Sequence, residues 1–197
     1  MTWGESLSKF RTLFVAAIVA GGSVGAISAA HASNFGGCAA NTTQACFANN
    51  STHYMYYDLT SGWRAATEAT RTQSYETTNL TTILSESQYA DVLYGIDTVF
   101  TAGFGYYRCL SWVNDGQGKC AKAEVNYSGP RGPELTSSQL QSVACHETGH
   151  SVGLWHPADK GLTDDPNIYQ CATNRAGSFP PLLGSHNVGH INGKYLP

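Results

Sequence analysis

Residues 136–156 read TSSQLQSVACHETGHSVGLWH, and the fold turns on how this stretch is read. Thr136 followed three residues later by Gln139 makes a capping box. The threonine hydroxyl accepts from the Gln139 backbone N–H, and the glutamine side chain reaches back to the N–H of Thr136. Leu135 before the cap and Leu140 in the first turn suit a hydrophobic staple. The helix that starts here is expected to run to about Val152. Gly153 then supplies a residue able to take positive φ and end it. Each helical residue rises 1.5 Å, so His146 and His150 share one face, about 6 Å apart along the axis.

Two imidazoles so placed can bind one Zn²⁺ at roughly 2.0–2.1 Å. Glu147 follows the first ligand and can sit beside the metal without binding it, where a carboxylate can accept a proton from water. Gly153 breaks the helix and lets the chain turn, bringing His156 back as a third ligand. The fourth position stays open for water, which marks a catalytic site rather than a closed structural one. From residue frequencies, the histidines, glutamate and glycine at these offsets arise by chance in roughly one chain in 10⁵.

The surrounding composition is compatible with one globular domain. Of 197 residues, 42% are hydrophobic and 13% charged, the latter well under the roughly 25% of an average soluble protein. Disorder would need high charge and few aromatics. Eleven Lys and Arg against 14 Asp and Glu, with no basic run, exclude a nucleic-acid binder. Lys9 and Arg11, the apolar stretch from Thr12 to Ala30, and Ala30-His31-Ala32 read as a secretory signal peptide over 1–32 that is removed. Its loss with Glu5 takes the net charge from −3 to −4. No later segment is long and apolar enough to cross a bilayer, so a secreted protein without membrane attachment is expected. Cys38, Cys46, Cys109, Cys120, Cys145 and Cys171 all follow the signal. They read as a disulfide set, and no C-x-x-C spacing points to a cysteine metal site. Six cysteines allow fifteen connectivities. Cys38–Cys46 and Cys109–Cys120, which close short loops, are favoured, leaving Cys145–Cys171.

Along the chain, 33–52 reads as an irregular N-terminal arm and 53–197 as a single domain. His53–Leu59 and Ala90–Ile96 read as strands. Phe104–Val113 and Lys122–Tyr127 read as a hairpin around the turn-forming Asn114–Gly118. Ser61–Tyr75 reads as a helix with Ser61 as its N-cap. Residues 128–133 form a loop.

The pattern H-E-x-x-H-x-x-G-x-x-H over residues 146–156 resembles that of the metzincin zinc peptidases, and the small size is most similar to their secreted, matrixin-like branch. The resemblance implies His146, His150 and His156 as zinc ligands and Glu147 as general base. It implies an α+β fold: a twisted, mixed sheet with a long N-terminal helix and the active-site helix in an upper subdomain (53–153). A small irregular lower subdomain (154–197) with a terminal helix follows the glycine. It implies a monomer acting on protein or peptide, bound by strand addition to the sheet's antiparallel edge strand. Here that strand would lie near Phe104, Gly105, Tyr106, Tyr107 and Arg108. One departure stands out. The family places a methionine in a turn below the metal, whereas Met1 and Met55 both lie upstream. Ala172, in Cys171-Ala172-Thr173-Asn174, takes the corresponding place. A Cys145–Cys171 bridge would tie that turn to the residue before His146 and partly replace the missing packing. The alternative is a catalytically impaired, zinc-stabilised peptide-binding protein.

Two weaker constellations remain. His186 and His190 are four apart on an expected C-terminal helix ending near Tyr195. They could bind a second metal, but local packing is favoured because no carboxylate or third ligand is spaced to join them. Asp159, Asp164 and Asp165 could bind Ca²⁺, although a solvated acidic loop is favoured without EF-hand spacing.

Overall fold

In the computed structural model, which describes residues 33–38, 45–174 and 179–196, the tyrosine-rich segment after the arm becomes an inner strand of a sheet, next to one edge. The expected signal segment at 1–32 lies outside the described residues. Among the described residues six strands form: β1 (Phe47–Ala48), β2 (Thr52–Tyr57), β3 (Thr81–Leu84), β4 (Val92–Asp97), β5 (Gly105–Val113) and β6 (Lys119–Ser128). Among the same residues four α-helices accompany them: α1 (Ser61–Gln73), α2 (Ser137–His150), α3 (Pro166–Tyr169) and α4 (Ser185–Lys194). This is an α+β fold built on a mixed sheet.

The sheet runs β1-β6-β4-β2-β3 with every pairing parallel, and β5 lies antiparallel on the other side of β6. Register explains the branching. β1 pairs with Lys119 and Cys120 of β6, and β4 continues along the same edge from Ala123 to Ser128. The opposite edge of β6 is left to β5, whose outer edge pairs with no other strand among the described residues. The β5–β6 turn places Gly116 and Gly118 at φ 70° and 69°, a conformation that glycine adopts without strain.

Helix α1 packs through Trp63, Ala66, Thr67 and Thr70. Trp63 stacks on Tyr127 of β6 with centroids 4.2 Å apart, and the Thr67 hydroxyl lies 3.0 Å from that of Tyr127. Truncating so large a buried ring to alanine costs about 3–5 kcal/mol. Helix α2 lies against both α1 and the sheet. The Thr70 hydroxyl donates to the Gln141 carbonyl, and the Tyr94 and Thr148 hydroxyls meet at 3.2 Å. A second cluster, including Tyr75, Val152, Leu154, Ala172, Ile191 and Tyr195, forms where α2 ends. The disulfides are Cys38–Cys46, Cys109–Cys120 and Cys145–Cys171. Among the described residues, no helix is long and apolar enough to cross a membrane.

Four local expectations need correction. The segment 33–52 is not merely irregular. It contributes β1, and Phe35 bridges to Leu154. Strand β3 was not expected, because TTIL has no alternation and buries only Thr82. It is set by its neighbour β2, pairing from Thr52↔Thr81 to Met55↔Leu84. Thr60, extended at φ −63° and ψ 161°, is the N-cap of α1, and Ser61 is already helical. Helix α2 ends at His150, two residues before Val152, because the chain turns over Ser151 and Val152 toward Gly153.

Candidate metal centre

The start of α2 has the capping box in both directions. The Thr136 backbone N–H donates to Gln139 Oε1 at 2.8 Å, and the Gln139 N–H donates to Thr136 Oγ1 at 3.4 Å. The far end of the helix carries His146 and His150. Beyond it Gly153 takes φ 99°, and a Cβ there would lie 2.7 Å from the Phe47 ring, so conformation and space both require glycine.

The N-terminal segment holds the returning chain. The Gly36 N–H donates to the Gly153 carbonyl, and the Trp155 N–H donates to the Asn34 carbonyl at 2.7 Å. The Asn34 side-chain amide donates to the Trp155 carbonyl at 3.0 Å, and the Trp155 indole donates to the Gly36 carbonyl at 3.0 Å. His156 follows directly and swings over the helix end.

The three imidazoles converge. His146 Nε2 is 2.9 Å from His156 Nε2 and 3.2 Å from His150 Nε2. Every outward nitrogen faces an oxygen. His146 Nδ1 lies 2.8 Å from the Cys171 carbonyl, His150 Nδ1 2.6 Å from the Leu154 carbonyl, and His156 Nδ1 3.1 Å from Asp159 Oδ2. These acceptors hold the proton on Nδ1 and turn each Nε2 lone pair inward. Three inward lone pairs repel unless a cation sits between them. Tetrahedral coordination at about 2.0–2.1 Å separates ligand nitrogens by about 3.3–3.4 Å, so the spacing fits a transition-metal ion with little adjustment. Burial, reinforced by the neighbouring His156, pulls His146 down to about 4. Burial and its two neighbours hold His150 well below its ordinary value. Both are therefore neutral at pH 7, as metal ligation requires. Among the described residues, these three form the one group of three or more His, Cys, Asp or Glu close enough to share an ion.

Glu147 is buried next to this cluster, and burial without a cation pushes its carboxyl up to about 8. A cation would draw it back down. Its Cγ would lie 2.9 Å from a Cβ at Gly105, the first residue of β5. The Glu147 side chain thus lies beside the start of β5. A cavity of about 510 Å³ opens there, lined by His146, Glu147, His156, Phe104, Val143 and Phe179 among others. Tyr106 and Tyr107 belong to β5 itself. The Tyr106 hydroxyl donates to Asp97, and Tyr107 is buried with its ring 6.3 Å from that of His150.

Ala172 is buried below the cluster with Tyr75 and Leu154. The Tyr75 hydroxyl donates to the Cys145 carbonyl at 2.8 Å, so aromatic and aliphatic side chains from other elements occupy this region. Asp159, Asp164 and Asp165 each have a local partner. Asp159 orients His156. Asp164 accepts from the Thr173 hydroxyl and from the Asn174 N–H at 2.9 Å. Asp165 accepts from the Asn167 N–H and caps α3. His186 and His190 lie on α4, apart from this group.

Three features escaped the sequence reading. Arg131 places its guanidinium 3.9 Å over the Phe104 ring, and Phe104 meets Phe179 edge-on at 5.9 Å. Together they wall the cavity, but they come from separate loops with no shared spacing. The carbonyls of Cys171 and Leu154 orient two histidines, and backbone acceptors leave no trace in residue identity. His53, fully enclosed on β2, places Nε2 3.0 Å from the Ser151 hydroxyl at the end of α2.

No protein-family model matches the chain, and no curated protein matches it. Among solved structures the chain is similar to myroilysin. One such structure aligns over 75% of this chain and 93% of that one, at 12% identity and TM-score 0.45. Another aligns over 56% and 46%, at 16% identity and TM-score 0.39. Likeness at this level carries no functional argument.

Proposed function

We propose that the chain is a secreted zinc endopeptidase of the matrixin-like metzincin kind, with residues 1–32 removed on export. The observation that carries this reading is the convergence of three Nε2 atoms, each turned inward by an oxygen at Nδ1, beside a buried carboxyl group that faces the same cavity. His146, His150 and His156 hold the ion. Bound there, Zn²⁺ supplies Lewis acidity, lowering the pKa of water toward about 7 and polarising a carbonyl.

The chain's own residues do the rest. The outer edge of β5 pairs with an extended peptide, and Gly105 brings that peptide's backbone alongside Glu147. Glu147 accepts the proton of the attacking water and passes it to the leaving amine. Phe104, Val143 and Phe179 exclude water from one side and receive a substrate side chain.

The presence of Ala172 where the family has methionine favours a second reading, a zinc-stabilised protein that captures peptides without cutting them. One experiment separates the two. Purified protein is incubated with an unfolded protein substrate, with and without chelator, beside Glu147→Gln. A peptidase gives cleavage that chelator abolishes and that falls at least about 10²-fold in Glu147→Gln, while bound metal stays equal. Peptide binding without cleavage supports the second reading. Full activity in Glu147→Gln removes the assigned base.

A further inference from the structure

Helix α4 carries a second pair of converging imidazoles. His186 Nε2 and His190 Nε2 are 3.2 Å apart, the same separation as between His146 and His150. The ring geometries also agree. Centroids lie 4.5 Å apart at 88° in the α4 pair and 4.7 Å apart at 83° in the α2 pair. A spacing of four on a helix makes such a meeting possible, but it does not hold the rings in place. Here other elements do. His190 lies flat against Phe35, 5.4 Å away at 6°, and His186 meets Tyr169 edge-on at 5.1 Å and 88°.

The supports are themselves anchored. Phe35 bridges to Leu154 and packs against Phe47. Tyr169 is buried, and its carbonyl accepts from the Asn187 side chain at 2.7 Å. The helix is seated by Ile191, which is fully buried, and by Asn192, whose side-chain oxygen accepts from the Asn79 N–H. Two rings already ordered lose little further freedom when they bind an ion. Partial burial of His190 also favours its neutral form.

We propose that His186 and His190 form a second transition-metal site that binds one divalent ion through their Nε2 atoms, with water completing the coordination. Imidazole donors select copper, zinc and nickel over calcium or magnesium, and Cu²⁺ binds more tightly than Zn²⁺. No third protein ligand joins the pair among the described residues. The site is therefore weaker and more readily exchanged than the three-histidine centre. An ion here bridges successive turns of α4 and braces the C-terminal helix.

The test uses protein already holding its tightly bound ion. It is titrated with Zn²⁺ by calorimetry, with elemental analysis of the product, and then with Cu²⁺ under electron paramagnetic resonance. Wild type takes up one further ion per chain, and added Cu²⁺ shows coupling to two nitrogens. His190→Gln and, separately, His186→Asn lose that second ion and keep the first. His146→Ala loses the first and keeps the second, which separates this site from the proposed catalytic one. The spectrum of wild type needs no variant to fold. A wild type that saturates at a single ion, Cu²⁺ without nitrogen coupling, or a second ion that persists in either α4 variant overturns the proposal. Two neutral imidazoles sharing one N–H would then account for the pair.

Discussion

The missing side chain at Gly105 sets how much room Glu147, the proposed base, has. A methyl group at position 105 would stand 2.9 Å from Glu147 Cγ and 3.1 Å from Oε1. Gly105→Ala should displace the carboxyl group and lower turnover on the order of 10–10²-fold, since small misplacements at a reacting centre are that costly. Metal content should be unchanged, and a fully active variant would mean that the base has space to spare. His53 gives a prediction about pH. Burial lowers it to about 4, from an ordinary value of 6.5. The unfolded chain binds the proton first, so the stability His53 contributes is present above pH 6.5. It is lost as pH falls toward 4. The shift corresponds to about 3 kcal/mol. In urea titrations of metal-free protein, His53→Gln should lose stability less steeply than wild type between these values. Parallel slopes would count against the buried neutral state. The sequence shows His53 only as a histidine in a strand; its enclosure depends on α2 closing over β2.

At the scale of elements, the end of α2 is held by a turn far away in sequence. Cys145–Cys171 spans 26 residues and ties the helix to the turn whose carbonyl faces His146 Nδ1. Closing a loop of that length contributes about 3.5 kcal/mol in the chain-entropy description. The double variant Cys145→Ser/Cys171→Ser should therefore lose stability. It should also bind metal about 10–100-fold more weakly, the usual effect of disturbing a group that orients a ligand. Chelator competition measures this, and equal affinities would show that the bridge does not support the site. The helix itself was legible from Thr136, Gln139 and the histidine spacing, because capping and i,i+4 contacts are local. Strand β3 was not, because four residues with one buried side chain carry no pattern of their own.

For the whole molecule, the proposed centre draws on α2, the segment after Gly153, the 171–173 turn and the N-terminal residues 34–36. An ion bound there holds these pieces in one arrangement, so chelation should destabilise the entire fold. At free metal 100-fold above Kd the contribution is about 2.7 kcal/mol. For a domain of this size that is a fall of about 5–10 °C in Tm. Calorimetry with and without chelator checks it, and an unchanged Tm would mean that the histidines hold no ion. The N-terminal segment matters at this scale as well. It reads as an irregular arm because it is small and polar, yet it pairs with β6 and with Gly153–Trp155. Its role depends on hydrogen bonds to distant backbone, which composition does not encode.

Residues 136–156 determined the central features alone: a capped helix, two histidines on one face, a carboxylate between them, a glycine stop and a third histidine beyond. Each depends on helical geometry or on backbone chemistry within a few residues, so identity and spacing suffice. Tertiary structure decided the rest. It supplied the carbonyls that set the histidine tautomers, the Phe104–Arg131–Phe179 wall, and the aromatic supports that bring His186 and His190 together. Leu154 is four residues from His150, but the other contacts join residues 17 to 155 positions apart. They are set by how the sheet and helices pack, and no local pattern records them.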